Sequence, residues 1–231
     1  MRIVVLTGAG ISAESGLATF RGAGGLWEGH RPEDVATPEA FAADRGLVQR
    51  FYDARRAQLR TVAPNPAHHA LGALEADLGD DLVLVTQNID DLHERAGSTR
   101  VVHMHGELLR ARCEACDGQP PWTDALIDEP ACPICGVTAL RPDVVWFGEA
   151  PYHMDRIQQE LEDCDLFVAI GTSGLVYPAA GFVDWARRHG ARTVELNLAP
   201  TDDEAFDESW AGPASEVVPT WVEHLRSPRA S

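Results

Sequence analysis

The chain has 231 residues, 45% of them apolar, enough for one large α/β domain or one domain with a small insertion. Its formal net charge is −17, which argues against direct nucleic-acid affinity, because such binders are usually basic. No apolar run is long enough to span a bilayer, and Met1-Arg2 leads straight into an apolar run that leaves no room for a signal peptide, so a cytoplasmic protein with no membrane partner is expected.

All 19 basic residues are Arg. The acidic, lysine-free composition reads as a compositional habit, or as a surface that attracts lysine-rich substrates and repels anionic ones. Ile3, Val4, Val5 and Leu6 predict a strand buried on both faces, as in a parallel sheet. Thr7, Gly8, Ala9 and Gly10 form a turn with room for a ligand against bare backbone. Residues 11–17 then predict the start of a helix, whose N-terminal amides favour phosphate. Gly8, Gly10 and Ala13 fit the G-x-G-x-x-G/A dinucleotide spacing. The acidic strand end that follows in a dehydrogenase is missing; residues 20–32 are glycine-rich instead.

Thr37-Pro38-Glu39 predicts a helix start, and residues 47–59 a second helix. On it Tyr52 and Arg55 are three apart and share a face. On spacing alone a solvated arginine face is the readier explanation, because Arg50, Arg55, Arg56 and Arg60 crowd this helix. Asn65-Pro66-Ala67-His68 opens the next helix, which ends near Gly79; His68 and His69 are assigned no chemistry. Residues 81–86 predict a second buried strand, with Gln87, Asn88, Ile89 and Asp90 at its C-terminal end, where open α/β sheets bind ligands. Residues 101–105 predict another strand, with Val101, His103 and His105 on one face.

Cys113-x-x-Cys116 and Cys132-x-x-Cys135 have zinc spacing, with fifteen residues between the pairs. Four thiolates leave no open coordination position, so the metal is expected to be structural; a redox dithiol is the alternative. The intervening residues, rich in Gly, Pro and acids, are expected not to pack a core without the metal. Residues 144–149 are expected to return to the main sheet, residues 153–163 to be helical, and Cys164 to be inert core. Residues 165–170 and 193–198 predict strands ending at Gly171-Thr172-Ser173 and at Asn197-Leu198. Gly212-Pro213-Ala214-Ser215 is expected to precede a last strand and a terminal helix.

GAGISAESGLATFRG, QNID, HMHGEL, the two C-x-x-C pairs, VVWFGE, GTS and NL occur here in the order found in the sirtuins. The chain closely resembles that family of NAD-dependent protein-lysine deacylases over nearly its whole length. The resemblance implies a Rossmann-like parallel-sheet domain (residues 1–30, 62–105 and 144–231) and a smaller module made of a helical insertion (31–61) and a zinc insertion (106–143). It implies one structural zinc and NAD as co-substrate, with the cofactor loop supplying Gly8, Ala9, Gly10, Ser12, Glu14, Phe20, Arg21 and Trp27. Gln87, Asn88, Ile89 and Asp90 would line the nicotinamide and ribose pocket. Gly171, Thr172, Ser173, Asn197, Leu198 and Ala214 would contact the ribose and adenine half.

The His directly before Gly, here His105, would be the catalytic base, and Asn88 would sit near the reacting centre. Val145, Phe147, Gly148, Glu149, Val176 and Tyr177 would clasp an acyl-lysine peptide as an added strand. Tyr52-x-x-Arg55 with Ala36 resembles the class III sirtuins, which prefer succinyl and malonyl groups. An Arg fork and a Tyr hydroxyl suit a carboxylate. Nicotinamide would leave, and the products would be free lysine and O-acyl-ADP-ribose. Plain deacetylation, ADP-ribosyl transfer, a non-catalytic NAD sensor and a zinc-bearing interaction module remain as other readings. The protein is expected to be a monomer.

Overall fold

The computed structural model describes residues 1–18, 27, 29–201 and 204–227. Six strands form a parallel sheet in the order β3-β2-β1-β6-β7-β8: β1 (Ile3–Thr7), β2 (Leu82–Thr86), β3 (Val102–His103), β6 (Leu166–Ile170), β7 (Arg192–Asn197) and β8 (Glu208–Ala211). Every residue of β1, β2 and β6 is buried, because helices cover both faces. Ile3, Val5, Leu82, Leu84 and Val168 pack under α4 (Pro66–Leu78) and α8 (Ala214–Arg226). Val4, Leu6, Val83, Val85 and Phe167 pack under α6 (Met154–Asp163) and α7 (Phe182–Arg188). The two-residue side-chain period of the strands supplies both layers from one apolar run. Truncating a side chain such as Leu84, 1% exposed, to Ala costs about 2–5 kcal/mol.

The smaller module stands outside this sheet. β4 (Gly106–Cys113) and β5 (Leu140–Val144) form an antiparallel pair. α1 (Pro32–Val35), α2 (Pro38–Ala43) and α3 (Arg45–Leu59) share a core with it that includes Phe41, Val48, Phe51, Leu59, Leu108 and Val144. The Thr37 hydroxyl accepts from Ala40 N at 3.0 Å, and Asp44 accepts from Leu47 N at 2.8 Å, so α2 and α3 each begin on a side-chain cap. A short α5 (Leu92–Arg95) follows β2. No helix among the described residues is long and apolar enough to cross a membrane.

Four expectations are corrected. The segment after β1 is a seven-residue 3-10 helix, Ala9–Ser15, not the start of an α-helix, and its Gly10 N–H is already bonded to Gly171 O. The strand at 101–105 shortens to Val102–His103, because the chain leaves the sheet at Gly106, whose φ is +82°. Residues 144–149 do not rejoin the main sheet: Val144 ends β5, paired with Gly106. The last strand, β8, precedes Gly212 rather than following it. Between the cysteine pairs, Leu126 is fully buried with Ala111 and Leu140, and Trp122 packs against them beside the cysteine cluster.

Candidate active site

The sheet order reverses around β1, and the loops at the C-terminal ends of β1, β2, β6 and β7 converge there. Gly8 N donates to Ile170 O at 2.9 Å, and Gly10 N to Gly171 O at 2.8 Å. A Cβ on Gly10 would lie 2.7 Å from Gly171, so these glycines let two loops touch backbone to backbone. Beside them opens a cavity of about 750 Å³. Its size and its glycine-lined wall fit a dinucleotide.

Ser12, Asn88 and Asp90 form a buried network at the cavity floor. Asn88 Nδ2 donates to Gly8 O at 3.1 Å and to Ser12 Oγ at 3.2 Å, which fixes the direction of its amide. Ser12 Oγ donates to Asp90 Oδ2 at 3.0 Å. His68 Nδ1 accepts from Asn65 N at 3.3 Å, so its Nε2 carries the hydrogen and donates to Ser12 Oγ at 3.4 Å. His68 is thus a structural prop behind the site. Burial raises the Asp90 pKa to about 6, against hydrogen bonds from Leu92 N and Ser12. Burial lowers that of His68 to about 4, so it is neutral.

His105 Nδ1 lies 3.1 Å from Gln87 O. A carbonyl can only accept, so Nδ1 carries the hydrogen and Nε2 keeps its lone pair. Burial lowers the His105 pKa, outweighing this bond, and the ring stands neutral as a base facing the cavity. His103 does not share that wall. Its Nε2 lies 2.7 Å from Glu94 Oε1; burial depresses its pKa, yet the Glu94 hydrogen bond and charge leave it raised. Two histidines two positions apart are therefore biased in opposite directions, and of the two His105 lines the cavity.

Ala36, Tyr52 and Arg55 also line the cavity. Tyr52 is fully buried, and its Oη accepts from Trp146 Nε1 at 3.0 Å. The Arg55 guanidinium lies 5.3 Å over the Phe51 ring. Ala36 O accepts from Phe147 N at 3.0 Å. Glu149 faces inward: Oε2 accepts from Arg141 Nη2 and from Trp146 N, each at 2.8 Å. In the segment meant to clasp a peptide, the amides of Val145, Trp146, Phe147 and Glu149 are all bonded internally. Among the described residues, Gly148 N–H is left there as the free donor.

The same cavity wall holds Ala9, Glu14, Trp27, Gln87, Ile89, Thr172, Ser173 and Leu198, together with Asn197, Ala214, Val176 and Tyr177. Phe20 and Arg21 lie outside the described residues. Glu14 has a further task, accepting from Ser215 N at 2.9 Å and Ser215 Oγ at 2.7 Å, which caps α8. Sequence reasoning missed Trp146 and His68 as supports. The contacts that make them supports, Trp146 to Tyr52 and His68 to Ser12, join residues distant in the chain, whereas the His68 bond to Asn65 N is a local helix cap.

The four cysteines form a separate cluster, with all four Sγ atoms within 4.8 Å of one another. Cys113 Sγ lies 3.7 Å from Cys135 Sγ, and Cys116 Sγ 3.9 Å from Cys132 Sγ. Zinc with bonds of about 2.3 Å has sulfur–sulfur edges of roughly 3.8 Å in a tetrahedron, so these residues fit a zinc ion. Cys164 is buried apart from them, and burial raises its pKa to about 11, as an inert thiol requires.

Comparison with known proteins agrees with this geometry. The Sir2 family matches residues 8–178. An NAD-dependent protein deacylase of Escherichia coli (strain K12) is 59% identical over 228 residues, covering 97% of this chain and 82% of the relative. One from Yersinia pseudotuberculosis is 59% identical over 224 residues, covering 95% and 81%. A Sir2 homologue solved with NAD superposes with a TM-score of 0.88 at 43% identity, over 97% of this chain and 89% of that one. A Sir2 variant solved with a deacetylated p53 peptide and 3′-O-acetyl ADP-ribose gives 0.85 at 30% identity, over 96% and 93%. The chain belongs to the Sir2 family.

Proposed function

We propose that this chain is an NAD-dependent protein-lysine deacylase that removes succinyl and malonyl groups as well as acetyl. The observation that carries the acyl preference is the shared wall of Tyr52, Arg55 and Ala36 in the cavity that also holds His105. Trp146 holds the Tyr52 oxygen as an acceptor, which leaves the hydroxyl hydrogen for a ligand oxygen. Arg55 adds a charge that a carboxylate-ended acyl chain matches and an acetyl group does not.

NAD, when bound, supplies an electrophilic ribose carbon and a ribose hydroxyl. The Gly8–Gly10 loop and the Gly171 loop form its cradle. Asn88 and Asp90, locked through Ser12, orient the nicotinamide end, and Thr172, Ser173, Asn197 and Ala214 take the adenosine end. His105 Nε2 accepts the hydroxyl proton. The peptide backbone lies between Gly148 and Val176, where Gly148 N–H serves as donor. The four-cysteine cluster holds zinc as a structural ion. Residues 1–30, 62–105 and 144–231 act as the nucleotide-binding body, with 31–61 and 106–143 as the substrate-side module.

One observation favours plain deacetylation as the second reading: Tyr52 is 0% exposed, and a closed phenol narrows the acyl channel. Matched peptides bearing succinyl-, malonyl- or acetyl-lysine, turned over with NAD and followed by mass spectrometry, decide between them. Preference for the acidic acyl groups, lost in Arg55→Met, supports the proposal. Preference for acetyl establishes the second reading. Nicotinamide release with ADP-ribose left on protein would instead indicate transferase activity.

A further inference from the structure

α3 carries two working faces. Tyr52, Arg55 and Leu59 line the cavity. Arg45, Gln49 and Asp53 recur every four residues, so they form one ridge along the helix. That ridge is devoted to the four-cysteine segment. Arg45 Nη1 reaches Glu114, which lies between Cys113 and Cys116, at 3.1 Å, and its Nη2 donates to Leu140 O at 2.9 Å. Gln49 Nε2 donates to the same carbonyl at 3.0 Å. Asp53 accepts from Leu126 N with both oxygens and from Ile127 N, each at 3.0 Å. Leu126 is itself buried against Cys113 and Cys132.

Asp53 also pairs with Arg56, whose side chain is 2% exposed and whose Nε donates to Leu108 O at 3.0 Å. The carboxylate therefore joins three things: the loop between the cysteine pairs, a buried guanidinium and the helix that bears Tyr52 and Arg55. We infer that Asp53, with Gln49, is a positioning residue for acyl selection, through which the folded four-cysteine insertion sets the placement of Tyr52 and Arg55. This rests on the acidic-acyl reading of the Tyr52–Arg55 wall. A rigid helix transmits displacement of one ridge to the other, so loosening the insertion shifts the acyl contacts before it disturbs His105, which hangs from β2 through Gln87.

The test uses zinc-loaded Asp53→Asn and Gln49→Met alongside wild type; the second variant keeps the test open if the first does not fold. Two quantities are read: the zinc release rate to a chromogenic chelator, and kcat and KM for succinyl- and acetyl-lysine peptides of one sequence. The expected result is zinc release faster by about fivefold and a succinyl KM raised about tenfold, with kcat and the acetyl parameters within about threefold of wild type. Direct binding of the succinyl peptide without NAD should weaken by the same factor. Faster zinc release with both peptides affected equally would overturn the inference, leaving a purely structural role. Unchanged selectivity and zinc release in both variants would overturn it as well. A wild type without succinyl preference is a different failure, seen before any variant is made, and it removes the acidic-acyl reading itself.

Discussion

The phenol oxygen of Tyr52 accepts a hydrogen bond from the indole Nε1 of Trp146 at 3.0 Å, across 94 residues of chain. Both side chains are buried, and burial raises the Tyr52 pKa well above its ordinary value, so the phenol stays protonated. Tyr52 therefore enters the cavity wall as a fixed donor. Tyr52→Phe removes that donor and leaves the buried indole N–H without its acceptor. We expect a stability loss of about 1–3 kcal/mol and a larger rise in KM for succinyl than for acetyl peptide. Thermal unfolding and matched-peptide kinetics check both parts.

His105 must be unprotonated to act as a base, and its folded pKa lies below the ordinary 6.5. Activity is thus full above that value and lost as pH falls through the lowered pKa. A kcat/KM profile should stay flat down to about pH 6.5 and decline only below it. His105→Ala should keep its fold and zinc while turnover drops by about 10²–10⁴-fold. A base-side decline alone, or near-normal turnover, would remove His105 from this role.

Asp90 makes the opposite use of burial. Its folded pKa of about 6 stands above the ordinary 3.8. Stability from this group is fully present below pH 3.8 and is lost as pH rises through 6; the ionised carboxylate then costs the fold on the order of 2–3 kcal/mol. Asp90→Asn abolishes that titration. The stability gap between wild type and variant should shift in the variant's favour between pH 4 and 7, while NAD-dependent turnover falls. A gap that does not change with pH would contradict the burial effect.

Gly10→Ala places a Cβ 2.7 Å from the Gly171 backbone. Neither loop can retreat, since Gly10 N is bonded to Gly171 O. The expected cost is about 1–3 kcal/mol, with NAD affinity at least roughly tenfold weaker. Calorimetric melting and NAD titration report the two effects separately. Full NAD affinity in a destabilised variant would show that loop contact and cofactor binding are independent.

The sequence alone determined much of this protein. Apolar runs such as Leu82–Thr86 are short and continuous, which specifies strands covered on both faces, and the structure has them. The Thr37-Pro38 start is a local signal with a local hydrogen bond, so it too was legible. The cysteine spacing specified four thiolates around one point, because a metal tetrahedron admits few alternatives. The strand-end loops that line the cavity were legible as Gly and polar punctuation in a fixed order.

Tertiary structure decided the rest. Which histidine faces the cavity depends on Glu94 capturing His103 and Gln87 O orienting His105, contacts 9 and 18 residues away in the chain. The 3-10 segment Ala9–Ser15 carries Gly10 docked on Gly171, a long-range contact that propensity does not encode. The Tyr52–Trp146 bond and the Asp53 grip on Leu126 join segments 94 and 73 residues apart. Periodicity and spacing report what a segment does with its own neighbours. Burial, pKa shifts and the aim of a side chain depend on which distant groups share its space, and only the closed fold fixes that.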